Sequence, residues 1–145
     1  MEGDVLRRAF AEFVGTFTLL FVGISSIAVG GNLTTVALAH GLAIAVMVSA
    51  VGHISGGHFN PAVTFAFLIT RRMAPVLAVV YWVTQFVAAV AAVLLVKAIF
   101  PDDIADRTRL GAPGVAKVIG SGSAFAMELV LTFFLVFVVF ATAAD

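Results

Sequence analysis

The stretch His53-Ile54-Ser55-Gly56-Gly57-His58-Phe59-Asn60-Pro61-Ala62-Val63-Thr64-Phe65 lies between two long apolar runs. A glycine-rich loop leads directly into Asn-Pro, a pair suited to opening a helix. Asn is a preferred N-cap, and Pro at the first helical position needs no N–H partner and has its φ already set. The helix so opened is short. From Pro61 to Ile69 it rises only about 14 Å, roughly half of a bilayer's hydrocarbon core. Arg71 and Arg72 then return the chain to water. The pattern predicts a half-length helix, about 61–70, that begins at membrane depth with its polar end aimed inward.

The surrounding composition supports a membrane setting. Of 145 residues, 62% are hydrophobic and 11% charged, and the formal net charge is zero. Mean hydropathy is +1.17, far from that of a soluble domain. The neutral balance offers no electrostatic footprint for nucleic acid. There is no cysteine, so disulfides and thiolate metal sites are excluded, and no metal or cofactor site is predicted. Glu2, Asp4 and a long first apolar run argue against a cleaved leader.

Four tracts have the length of a membrane span, at 9–29, 35–51, 75–99 and 123–144. Arg7 and Arg8 precede the first, and Arg71 and Arg72 follow the second, which predicts a cytoplasmic N-terminus. The uncharged loop 30–34 then lies outside. The loop 101–122 is also placed outside, although Arg107, Arg109 and Lys117 run against the rule there.

One internal repeat stands out. The run 11–21 (AEFVGTFTLLF) aligns with 127–137 (MELVLTFFLVF), sharing Glu and Thr four apart, and both copies open a span. The two spans run in opposite directions, the pattern of an inverted repeat. The resulting division is 1–100 for a first repeat, 101–122 for an external connection and 123–145 for the first span of a second. On this division the chain stops early in its second repeat, and no counterpart of the Asn60 loop follows.

Several polar residues sit where only a purpose justifies them. At membrane depth an unpaired N–H costs several kcal/mol unless it meets a partner or a water-filled cavity. The Asn60 amide, the first-turn N–H groups and the positive dipole end of the half-helix therefore converge on such a cavity, donating hydrogen bonds and repelling cations. Gly56, Gly57, His58 and Phe59 supply backbone carbonyls along the same path. Glu12 and Glu128 are intramembrane carboxylates, which serve either as a proton relay or as acceptors bracing an irregular loop; the bracing role is preferred. His40 is a lipid-interface residue, a core histidine or a pore-wall group. Gln85 reads as interior and hydrogen-bonded, and Tyr81 and Trp82 as interfacial anchors or packing.

The segment from Ser55 to Thr64, with Glu12 and Thr16, the run from Tyr81 to Gln85, and Glu128 with Thr132, resembles the aquaporin (major intrinsic protein) family over essentially the whole chain. The resemblance implies an all-α membrane protein, a right-handed bundle of six spans and two half-helices, assembled as homotetramers with a pore in each subunit. By position it makes Asn60, Pro61 and Ala62 the first pore signature and the carbonyls of Gly56, Gly57, His58 and Phe59 pore-lining. His40 falls at the selectivity constriction, where a histidine is similar to plant vacuolar-type members. Glu12 and Gln85 brace the loop, with Glu128 bracing a second loop that does not occur here.

The resulting expectation is a passive channel, not an enzyme, for water and small neutral solutes such as ammonia, urea or glycerol. It lies in the lipid bilayer of a bacterial inner or other plasma membrane and uses no cofactor. Two alternatives are a non-conducting fragment that needs other subunits and a secondary transporter with broken helices.

Overall fold

The computed structural model describes residues 2–143. All regular structure among them is helical: α1 (Glu2–Ala28), α2 (Leu33–Ser55), α3 (Pro61–Ile69), α4 (Pro75–Ile99), α5 (Asp102–Thr108), a 3-10 turn (Arg109–Gly111) and α6 (Ser121–Ala143). Four of these, α1, α2, α4 and α6, are long and apolar enough to cross a membrane. Among the described residues the chain is an all-α membrane protein.

The helix ends follow local chemistry. Asn32 caps α2 by accepting a hydrogen bond from the Thr35 N–H at 2.9 Å. α2 stops at Gly56, whose φ of 94° lies in the left-handed region that glycine enters without a Cβ penalty. α3 is capped by Asn60 and opened by Pro61, and α4 opens on Pro75. Loop 101–122 carries more structure than a plain connection. Pro101 with Asp102 and Asp103 starts α5, acidic residues suiting a helix N-terminus.

Two compact units are present, residues 1–111 and 112–145. In the first, α1 packs on both α2 and α4, and α3 packs on α4. α4 turns Ala78, Tyr81, Gln85, Ala88, Ala92 and Val96 inward. Their spacing of three and four residues marks one helical face, and its alanines let neighbouring backbones approach closely. The opposite face of α4, with Val79, Val83, Phe86 and Val90, is exposed and apolar, as expected of a surface bathed in lipid. α5 and the following turn fold back on α1, where Gly111 lies close to Ile24. The second unit holds residues 112–120 and α6, whose apolar side chains are largely exposed.

Candidate functional site

Between α2 and α3 the backbone leaves helical geometry for five residues. Gly56, Gly57 and Phe59 all have positive φ, at 94°, 65° and 47°. For a buried phenylalanine this is a costly conformation, held only when its surroundings over-determine it. Those surroundings are visible. Phe59 is 3% exposed, and its ring lies on α1 at Gly15, where any Cβ would overlap it.

A loop of this shape cannot satisfy its own N–H groups, so partners must come from elsewhere. Glu12 is the principal one. It is fully buried, and each carboxylate oxygen accepts two hydrogen bonds. Oε1 accepts from the Ser55 hydroxyl at 2.7 Å and the His58 N–H at 2.9 Å. Oε2 accepts from the Phe59 N–H at 2.7 Å and the Gln85 side-chain amide at 2.9 Å. Of the other loop amides, that of Gly57 donates to the Ser55 hydroxyl oxygen at 3.1 Å and that of Gly56 to the Gly52 carbonyl at 2.8 Å. Four donors converge on one buried carboxylate, the condition under which burying a charge is tolerable.

Gln85 extends this network. Both oxygens of Glu12 act as acceptors, so the Gln85 nitrogen faces the carboxylate, and it also donates to Thr64 Oγ1 at 3.0 Å. Its carbonyl oxygen is left buried without a partner. The Thr64 hydroxyl donates to the backbone carbonyl of Asn60 at 3.2 Å and lies 3.0 Å from His58 Nδ1. The His58 side chain is buried, its ring 4.3 Å from that of Phe67 and 5.2 Å edge-on from Tyr81.

α4 supports the loop from the other side. Tyr81 is fully buried, and its hydroxyl donates to the Ser55 carbonyl at 2.6 Å. The Trp82 indole donates to the Pro61 carbonyl at 3.1 Å. Tyr81 is thus packed inside the first unit, and Trp82, half-exposed, commits its polar atom to the half-helix. Nothing in the spacing of the sequence signals these two bonds. The sequence likewise carries no sign of the seat of Phe59 on Gly15 or of the parts played by Ser55 and Thr64. Each depends on residues more than twenty positions away or on the shape of the loop itself.

At the end of this scaffold stands Asn60. Its side-chain oxygen accepts from the Ala62 N–H at 2.7 Å. That bond fixes the amide orientation, so Nδ2 is turned away from the helix as a donor on a half-buried residue. The Nδ2 protons, together with the positive end of α3, form a donor-rich tip. His40 lies on α2, half-buried, with Nδ1 2.8 Å from the Val36 carbonyl. Glu128 lies on α6 in the second unit and is exposed there, beside residues 113–121. Among the described residues no cluster of His, Cys, Asp or Glu has a metal-binding arrangement.

Comparison with known proteins agrees with this architecture. The family model described as "Major intrinsic protein" matches residues 2–145. The glycerol uptake facilitator protein-like 6 of Lactiplantibacillus plantarum is 42% identical over 135 residues, covering 92% of this chain and 62% of that protein. A probable aquaporin, TIP3-2, of Arabidopsis thaliana is 39% identical over 158 residues, covering 98% and 57%. The lens fiber major intrinsic protein of Lithobates pipiens is 39% identical over 142 residues, covering 94% and 52%. The chain thus spans between 52% and 62% of the length of these curated relatives. With a family match running nearly end to end, this integral, multi-pass membrane chain belongs to the major intrinsic protein family.

Proposed function

We propose that this chain supplies the first half of a passive channel for water, which also admits small neutral solutes of the ammonia, urea or glycerol kind. The single observation that carries this reading is Asn60. A neutral donor pair stands on the positive tip of a half-length helix, held there by a buried carboxylate that takes no other visible part. Such a tip orients a water oxygen toward Nδ2 and breaks the donor–acceptor sequence of a water file, while its dipole repels cations. These are the elements of aquaporin-type selectivity in general. No nucleophile, general base or redox group is needed for downhill flow, so the protein acts as a conduit and not as an enzyme.

In this reading residues 1–100 are the first repeat, 101–122 the external connection and 123–145 the opening span of an inverted second repeat. Glu128 corresponds in that repeat to Glu12. Asn60, Pro61 and Ala62 form the pore signature, the carbonyls of residues 56–59 line the path and His40 stands at the constriction. The N-terminus faces the cytoplasm, the membrane is a plasma membrane such as the bacterial inner membrane, and the working unit is a homotetramer. The described residues hold one half-helix, and a central constriction made by two opposed tips requires a second.

The test is stopped-flow light scattering on vesicles carrying the protein expressed from its uninterrupted reading frame. Water permeability above that of empty vesicles, lost on replacing Asn60 by leucine, is the expected result. Uphill solute accumulation under an imposed proton gradient would instead identify a transporter. Permeability no greater than that of empty vesicles in correctly inserted protein would defeat the channel reading.

A further inference from the structure

Gly23 is buried on α1, eleven residues along from Glu12. Its neighbour is not a helix backbone, which would make it an ordinary small residue at a close crossing. A Cβ placed on Gly23 would overlap the imidazole of His40, with Cδ2 at 2.7 Å and both Cε1 and Nε2 nearer still. The ring therefore rests directly on the α1 backbone. Its other nitrogen is tied down as well. Nδ1 lies 2.8 Å from the Val36 carbonyl, and a carbonyl can only accept, so in the neutral ring Nδ1 carries the proton and Nε2 is an acceptor. Among the described residues Nε2 has no hydrogen-bond partner. Two constraints, one on each side of the ring, set its position: the bond to Val36 and the missing Cβ of Gly23.

We propose that Gly23 is a selectivity-determining position that acts through His40. By giving the ring a seat on α1, it sets the free width beside His40 and so the admission of neutral solutes wider than water. A methyl group at position 23 removes the seat. The ring then has to turn away from α1, toward its half-exposed side, which the channel reading places on the conduit. This inference rests on that reading for its effect on permeation, but the seat itself does not.

The two parts are tested separately. In bilayer-reconstituted, isotope-labelled chain, solid-state NMR should show His40 with Nδ1 protonated, Nε2 bare and the ring in contact with Gly23 Cα. Absence of that contact overturns the proposal, whether or not the protein conducts. For protein from the uninterrupted reading frame, the glycerol-to-water permeability ratio should fall in G23A on the order of tenfold, the scale of strain from inserting a methyl into a packed contact. Water permeability alone should change by less than about twofold, since the ring still leaves a single file of water. The double variant G23A/H40A should recover the ratio. A parallel loss of both permeabilities, or a ratio that H40A does not rescue, overturns the proposal. If G23A fails to insert, insertion of G23A/H40A supports the seat, and failure of both alongside a normal H40A refutes it.

Discussion

Replacing Glu12 by glutamine keeps the shape of the side chain and changes only what its two terminal atoms can do. In the native loop Oε1 and Oε2 receive four donors, from Ser55, His58, Phe59 and Gln85. An amide nitrogen placed at the Oε2 position would face two N–H donors, those of Phe59 and Gln85. Placed at Oε1 it would face the Ser55 hydroxyl, which can rotate to accept, and the His58 N–H, which cannot. The second arrangement is the cheaper one, and it strands one buried backbone N–H, at a cost of about 1–3 kcal/mol. The bonds that remain also lose their charge assistance, by about a factor of two in strength. A neutral amide is easier to bury than a carboxylate, which offsets part of this. The net expectation is a loss of about 2 kcal/mol, close to thirtyfold in the opening equilibrium of the loop. The chain has a single tryptophan, and Trp82 is bonded to the first residue of the half-helix, so its emission reports on the loop directly. Denaturation in mixed micelles followed by Trp82 fluorescence, with hydrogen exchange at the His58 and Phe59 amides, measures the effect. A Glu12→Gln protein within about 0.5 kcal/mol of the native one, with the His58 amide still protected, would show that the carboxylate does not hold the loop.

Three further outcomes are expected. Gly15→Ala drives a methyl into the Phe59 ring, at a cost of about 1–3 kcal/mol; Trp82 emission should shift, and adding Phe59→Ala should relieve much of that strain. Asn60→Asp keeps the oxygen that caps Ala62 but removes the Nδ2 donors, so Trp82 emission and thermal midpoint should stay near native while water permeability falls; equal loss of both would mean that Asn60 matters only as a cap. Vesicles holding only residues 1–145 should shrink no faster than empty ones under an osmotic step, because one half-helix tip completes only one side of a constriction; measurable permeability that is lost in Asn60→Leu would contradict this.

Much of the architecture is written locally. Asn60-Pro61 opens α3 and Pro75 opens α4 because capping and the fixed φ of proline act within a few residues. The span lengths follow from hydropathy, which needs no partner. The loop 101–122 was less legible: α5 is seven residues long and its apolar residues are too few for periodicity to show. Tyr81 and Trp82 could not be assigned from sequence, since an amphipathic aromatic suits a lipid interface and a buried hydrogen bond equally well. Only the positions of the Ser55 and Pro61 carbonyls decide between them.

By itself the sequence determined that this is a membrane chain, the approximate places of its four long spans, and that a further helix is half-length with an asparagine at its tip. These are short-range or additive properties: hydropathy sums along a segment, and a cap acts over three residues. Tertiary structure alone decided what holds that tip in place. The bonds from Glu12 reach 43, 46, 47 and 73 residues along the chain, and the seats of Phe59 and His40 on Gly15 and Gly23 exist only once α1 lies against the loop and α2. A buried donor or a missing Cβ acquires meaning from whatever the fold brings within 3 Å of it, and no spacing in the sequence records that.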